Sequence, residues 1–465
     1  MQTPPQAATF RPERAILELG ETLYDPVEAA DFPQAILRFR NDRAARTIGL
    51  DNLSDEDWIR HFGRFDPLPG SLDTPLALRY HGHQFRVYNP DIGDGRGFLF
   101  AQMRDDRGRL MDLGTKGSGQ TPWSRFGDGR LTLKGGVREI LATEMLEALG
   151  VETSKSFSLI ETGEALQRGD EPSPTRSSVL VRLSHGHIRI GSFQRLAFER
   201  DETTMRTLVD YCLRHFFNEE GGEDGPARLL AHVVAGTARL TASYMAAGFV
   251  HGVLNSDNIN ITAESFDYGP WRFTPRFDPR FTAAYFDHQG LYAFGRQAEA
   301  IQWDVVQLAA SLRLIAESDA LIPALEGFPL AYRAALVERI LARLGVRTRG
   351  ESEDIALVQS IEKALLHGGV EIDRFFFDWS GGELRAPSSA DASYAAGIFD
   401  AFRERIIAYE PARSHDHPYW AGTEPCSMHI EEVERIWTHI ARDDDWLALY
   451  AKVNDIRAMG AALRG

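Results

Sequence analysis

The sequence predicts an α+β chain of two lobes, a small β-rich one and then a large, mainly helical one. Three observations predict it. Glycine turns and short apolar strands fill residues 93–116, end on Lys116, and are followed by one strong helix at 135–149. After Ser192 the apolar spacing turns helical. Between two helical stretches lies a polar loop, His251-Gly252-Val253-Leu254-Asn255-Ser256-Asp257-Asn258, with Asp267-Tyr268-Gly269 shortly after it. The expected divisions are 1–79, an N-terminal extension; 80–195, the small lobe; and 196–465, the helical lobe.

Bulk properties narrow the function. At 465 residues the chain exceeds what one compact core usually holds. Its 43% hydrophobic and 25% charged content is that of an ordinary globular protein. A net charge of -16 argues against nucleic acid or an anionic membrane as the main partner, while leaving room for a local basic pocket. Two cysteines, Cys212 and Cys426, exclude a disulfide framework and a four-cysteine zinc site. No run is expected to reach the roughly 20 apolar residues of a membrane span. The start, Met1-Gln2-Thr3-Pro4-Pro5, lacks a basic-then-apolar signal, so a cytoplasmic location is expected.

In chain order, residues 1 to about 30 are polar and expected to be loosely held. From Phe32 to Leu50 the pattern Phe32, Ile36, Leu37 and Phe39 suggests a helix with an apolar stripe. Ser54 followed by Asp55, Glu56 and Asp57 reads as a helix cap. His81 and His83 share a strand face, a spacing a metal could use, but no third ligand lies nearby and a structural role is expected; the same holds for His185 and His187. Gly93-Asp94-Gly95-Arg96-Gly97 feeds the strand Phe98–Met103, Asp105–Gly108 turns it, and Leu110–Leu113 returns towards Lys116. A plain hairpin fits these residues equally well.

A second glycine-rich run spans Gly117–Pro122 and Phe126–Arg130. Glycine lets backbone N–H groups approach phosphate oxygens, and Arg125 or Arg130 supplies charge, so a phosphate role is expected. Glu139 lies one turn into the helix that Gly150 stops. By spacing alone it is a first-turn acid favoured by the helix dipole; within this layout it would pair with Lys116. Strands are expected at Ser156–Ile160 and Ser178–Leu183, with Arg182 and Arg189 as anion ligands or surface arginines. Helices follow at Thr203–Phe217, with Cys212 in the core, and at Arg228–Ala247. A short strand is expected at Asn258–Thr262, and Asp304, in a buried helix running to Leu314, is expected to steady the 251–258 loop. Further helices are expected around 322–345, 353–366, 392–409, 429–441 and 445–462, with Phe375–Trp379 as core.

Protein kinases carry His-Arg-Asp-x-x-x-x-Asn and then Asp-Phe-Gly. Aligned with them, His251 meets the kinase His, Asn258 the metal-binding Asn and Asp267 the metal-binding Asp. The catalytic Asp falls on Val253, which cannot accept a proton; Asp257 offers a carboxylate beside Asn258 instead. The layout is that of a protein-kinase-like two-lobed fold with its usual base removed.

Several motifs together resemble the selenoprotein O family, also called YdiU. They are the run Leu113–Arg130, His83-Gln84-Phe85, Gly93-Asp94-Gly95-Arg96, His251–Asn258, Asp267-Tyr268-Gly269-Pro270 and Asp287-His288-Gln289-Gly290, within roughly residues 30 to 315. The resemblance implies ATP bound in reverse relative to a kinase, and AMP transferred to Ser, Thr or Tyr hydroxyls of protein substrates. It also suggests uridylyl transfer with Mn²⁺. It implies that Gly93, Gly95, Arg96, Lys116, Asp128, Gly129, Arg182 and Arg189 hold the nucleotide, that Glu139 pairs with Lys116, that Asp257 accepts the proton, and that Asn258 and Asp267 bind Mg²⁺ or Mn²⁺. Two rivals remain: a γ-phosphoryl kinase with Asp257 as a displaced base, and a non-catalytic nucleotide-binding scaffold. The C-terminal third departs from the motif pattern, with Thr423–His429 where relatives show Asn-Pro-Lys/Arg-Asn. Met459–Gly465 carries no thiol, so redox control through a C-terminal thiol is not expected.

Overall fold

The computed structural model describes residues 8–465 other than 170 and 386. An antiparallel sheet forms the small lobe. Its main path runs Tyr24–Pro26, Leu76–Leu78, Leu99–Arg104, Leu110–Lys116, Thr175–Ser184, Lys155–Leu166 and Ile36–Arg40. Arg11–Glu13 adds to Leu99–Arg104, and Leu131–Thr132 to Thr175–Ser184.

Two expectations for the start of the chain fail here. Among the described residues the first 30 are not loose, because two short strands tie them into the sheet. The stripe at 32–39 is not helical: Ile36–Arg40 pairs with Lys155–Leu166, and the helix Asp42–Thr47 starts only after Asn41. The cap at Ser54 holds, with its hydroxyl accepting from Asp57 N and opening the helix Asp55–Gly63. That helix presses Trp58 and Phe62 onto one face of the sheet, where Trp58 stacks on Phe157 at 4.8 Å and donates to Ser158 Oγ. The other face packs on the helix Leu133–Ala148 through Leu159 and Leu180. A sheet covered on both faces reads as nearly continuous apolar runs, as in Val179-Leu180-Val181.

The large lobe is built around the buried helix Gly225–Ala247, flanked by Glu202–Phe217, Gln297–Leu312 and Phe328–Leu344. The expected helix at 322–345 is two, Ser318–Glu326 and Phe328–Leu344, parted at Gly327. Within residues 318–344 an 18-residue window has a mean hydropathy of 1.3, so by length and composition this stretch could cross a membrane, contrary to expectation. They pack along Gly225–Ala247 and leave Ile322 and Leu330 exposed. No strand forms at 258–262; Asn260 makes a single bridge to Arg189.

Phe375–Trp379 is buried core, as is Cys212, while Cys426 is half-buried and both thiols are free. The final helix, Leu447–Arg464, returns to the small lobe. Gly460 sits where a Cβ would come within 3.0 Å of Ala148, and Arg457 pairs with buried Glu144 at 2.6 Å. The C-terminal third thus braces the helix that carries Glu139. An antiparallel sheet held between the helices Asp55–Gly63 and Leu133–Ala148, then a helical lobe carrying the 251–258 loop and Asp267, is the element order of a protein-kinase-like fold.

Candidate active site

Antiparallel pairing sets the first side chains. Lys116 lies opposite Leu180, and Gly114 opposite Arg182. Side chains two apart on a strand share a face, so Lys116 and Arg182 are diagonal neighbours pointing the same way. Both meet Asp267: Lys116 Nζ at 2.8 Å and Arg182 Nη1 at 3.3 Å from its Oδ1. Lys116 also bonds Glu139, as expected from the layout. The second Glu139 oxygen is buried without a hydrogen-bond partner among the described residues. Asp267 itself has φ 62°, a left-handed conformation that few residues other than glycine adopt, and this marks a constrained site.

The two glycine-rich segments form one wall. Thr121 Oγ1 donates to Asp94 O, Ser124 Oγ to Gly95 O, and Gly117 N to Arg96 O, at 2.5–2.6 Å. Trp123 lies so close to Gly93 that a Cβ there would sit 2.5 Å from the indole. Glycine is required at Gly93 for that approach, and at Gly129 (φ 68°), which packs on Gly119. Asp128 is at the rim, bonded to Arg168 at 2.8 and 3.1 Å; burial opposes its ionisation, but Arg168 and Arg130 hold its pKa below the usual value.

Opposite this wall stands Asp257, on the short turn Ser256–Asn258. Motifs distant in sequence fix that turn. His83 N donates to Ser256 Oγ (2.7 Å), and Phe85 N to Asn255 Oδ1 (3.0 Å). Tyr292 OH also donates to Asn255 Oδ1 (2.7 Å), while Asp287 accepts from Leu291 N and Tyr292 N. His251 N donates to Gln297 Oε1. Asp304 makes none of these bonds, so its expected steadying role is not borne out. His81 and His83 bond Tyr88 and Gln194, in keeping with a structural role.

Asp257 is buried, and its Oδ1 has no hydrogen-bond partner among the described residues. Burial, and then the nearby Asp267 charge, push its pKa up to about 6 against the pull of Arg189. Asp267 is the reverse case: burial would raise it, but Lys116, Arg182, Arg96 and Arg189 hold it well below the carboxylate range. Arg189 is itself buried. It donates to Asp94 Oδ1 (2.9 Å), Tyr80 OH and Asp257 O, and lies over the Tyr80 ring at 4.3 Å.

A cavity of about 500 Å³ joins these groups. It is lined by Gly93, Gly95, Arg96, Lys116, Asp128, Gly129, Arg182, Arg189, Asp257 and Asp267. Glu139 lies in an adjoining cavity of about 470 Å³ that shares Arg96 and Lys116. Asn258 lines neither; its Nδ2 donates to Val253 O (3.0 Å), which leaves Oδ1 as its open atom. Among the described residues no three His, Cys, Asp or Glu side chains cluster as a metal site. The oxygens nearby, from Asp267, Asp257 Oδ1 and Asn258 Oδ1, still suit a hard cation that takes its other ligands from phosphate and water. Asp94 and Tyr80, which orient Arg189, were missed by sequence reasoning. Asp94 had a signal, lying inside Gly93–Gly97; Tyr80 had none.

The model of the family described as protein adenylyltransferase SelO matches residues 6–457, extending through the C-terminal third that the motifs left out. A protein nucleotidyltransferase YdiU of Synechococcus elongatus is 42% identical over 96% of this chain and 95% of its own. That of Gloeobacter violaceus is 43% identical over 96% and 94%, and that of a Synechocystis species 48% over 75% and 74%. A rhoptry antigen kinase domain of Toxoplasma gondii aligns with TM-score 0.28 and 14% identity, over 63% of this chain and 84% of that one. The chain belongs to the SelO family of protein adenylyltransferases, whose curated relatives are named protein nucleotidyltransferases.

Proposed function

We propose that the chain transfers AMP from ATP to Ser, Thr or Tyr hydroxyls of other proteins, with ATP reversed relative to a kinase. One observation carries the reading. The position of the kinase base is Val253, while the carboxylate that faces the cavity from the same loop is Asp257, buried and with pKa about 6. A base works best when its pKa lies near the working pH.

The chemistry follows from charge placement. The acceptor oxygen attacks the α-phosphorus and its proton passes to Asp257. The bond from that phosphorus to the α,β-bridging oxygen breaks, and pyrophosphate leaves. Lys116, Arg96, Arg182 and Arg189 offset the charge on the phosphates, held in place before reaction begins. Gly93, Gly95 and Gly129 allow backbone close to the nucleotide, and Glu139 keeps Lys116 oriented. Asp267 and Asn258 would hold Mg²⁺ or Mn²⁺, which supplies further neutralisation of phosphate charge when bound. Phosphate transfer is mostly positioning and electrostatics, so moving the reacting phosphate survives loss of the kinase base.

Incubation with α-labelled or γ-labelled ATP and a protein acceptor tests this. Label should pass to protein from the α position alone. Transfer of γ label without α label would make the chain a kinase; no transfer above an Asp267→Ala background would make it a scaffold.

A further inference from the structure

A cavity of about 300 Å³, sharing no residue with the cleft, lies between the lobes. The small lobe supplies Arg107 and Arg109 from its 105–109 turn, Glu152, and His185 just past the strand Thr175–Ser184. The large lobe supplies Arg239 from the helix Gly225–Ala247, Arg339 from Phe328–Leu344, and Glu264. Four guanidinium groups therefore line it against two carboxylates. Arg109 pairs with Asp105 at 2.8 Å, whereas Arg107, Arg239 and Arg339 make no ion pair among the described residues. Burial holds the His185 imidazole down at about 4, so it adds no charge near neutrality. Burial pushes Glu264 up to about 7, which lets its carboxyl donate to an oxyanion.

Like charges facing one another from two lobes repel, and a multivalent anion between them turns repulsion into attraction. Planar guanidinium forks match phosphate oxygens two at a time. The cavity also touches the segments that feed the cleft. Glu264 Oε2 accepts from His185 N at 2.8 Å. His185 lies three residues after Arg182 and four before Arg189, and Glu264 lies three before Asp267.

We propose that this cavity binds a small phosphate-bearing anion, of about the size of pyrophosphate or a sugar phosphate, that straps the two lobes together and so sets the spacing of Arg182, Arg189 and Asp267. The site stands independently of the chemistry assigned to the cleft.

Calorimetric titration with inorganic pyrophosphate tests it, using the full chain carrying Arg96→Ala and Arg125→Ala to weaken anion binding in the cleft. One equivalent should bind. Adding Arg239→Glu from one lobe, or Arg107→Glu from the other, should each weaken that binding tenfold or more. No binding in the starting protein, or equal binding after Arg239→Glu, would overturn the site. Loss with Arg239→Glu but not with Arg107→Glu would overturn the strap.

Discussion

The two walls of the cleft hold their carboxylates in opposite ways. Asp267 is crowded by Lys116 and Arg182 and stays ionised. Asp257, across the cavity, has an oxygen with no partner among the described residues and a pKa raised to about 6. Under the proposed function, carboxylates driven apart in this way divide the labour: one keeps its charge to hold cations, the other is poised to take a proton. Sequence shows two aspartates ten residues apart; only the surroundings make them different.

Substitution at the ionised wall should break the comparison hardest. Asp267→Ala removes a charge whose site is worth several kcal/mol in the transition state, so α-label transfer should fall about a thousandfold or more. Nucleotide affinity should fall as well. Activity within tenfold of wild type would mean that Asp267 is not needed at the reacting phosphate.

The other wall should respond differently. Asp257→Asn should lower the rate of transfer by about 10²–10⁴, the usual contribution of a positioned base, with nucleotide affinity little changed. Because the base must be unprotonated, the wild-type rate should rise with pH through about 6 and level off above it. The variant's residual rate should lose that limb. An unchanged limb would assign it to another group.

How far this contrast was legible depends on distance along the chain. The Lys116–Glu139 pair was readable because a strand end and a helix turn set both positions locally. The grip of Tyr292 and Phe85 on Asn255 was not, since those contacts join residues 37 and 170 apart. Phe32–Phe39 misled because an edge strand covered by a helix has no clean alternation, and its apolar residues happen to match a helical stripe. Asn258–Thr262 has strand-like residues but lacks a neighbouring strand for more than one bridge. The pKa of Asp257 was out of reach, as it comes from burial by segments far away in sequence.

Geometry offers a gentler probe of the same wall. A Cβ on Gly82 would lie 2.8 Å from Asp257 Oδ1 and 2.9 Å from its Cβ. Gly82→Ala must therefore shift the carboxylate. Displacements of about 1 Å at a reacting group cost about a hundredfold, so transfer should fall by roughly that factor while nucleotide binding holds. Wild-type kinetics in this variant would show that the position of Asp257 is not critical.

The smallest effect is the most discriminating, because the two walls should differ in sign. Asp257 has a folded pKa near 6 against an unfolded value of 3.8. The charged form is thus penalised on folding, fully above pH 6 and not at all below about 4. A rise of that size corresponds to at most about 3 kcal/mol, so Asp257→Asn should stabilise the nucleotide-free protein at pH 8, with the gain fading as pH falls. Asp267 has a depressed folded pKa, so its stabilisation is present above the unfolded value and is lost as pH falls through the folded one. Asp267→Asn should destabilise at pH 8, and that loss should also fade in acid. Urea denaturation of the two variants at pH 8 and pH 5 separates them: at pH 5 the Asp257→Asn gain has partly faded, while the Asp267→Asn loss still stands in full and fades only below about pH 4. If the pH 8 changes share a sign, the two walls are electrostatically alike, and the division of labour between their carboxylates fails.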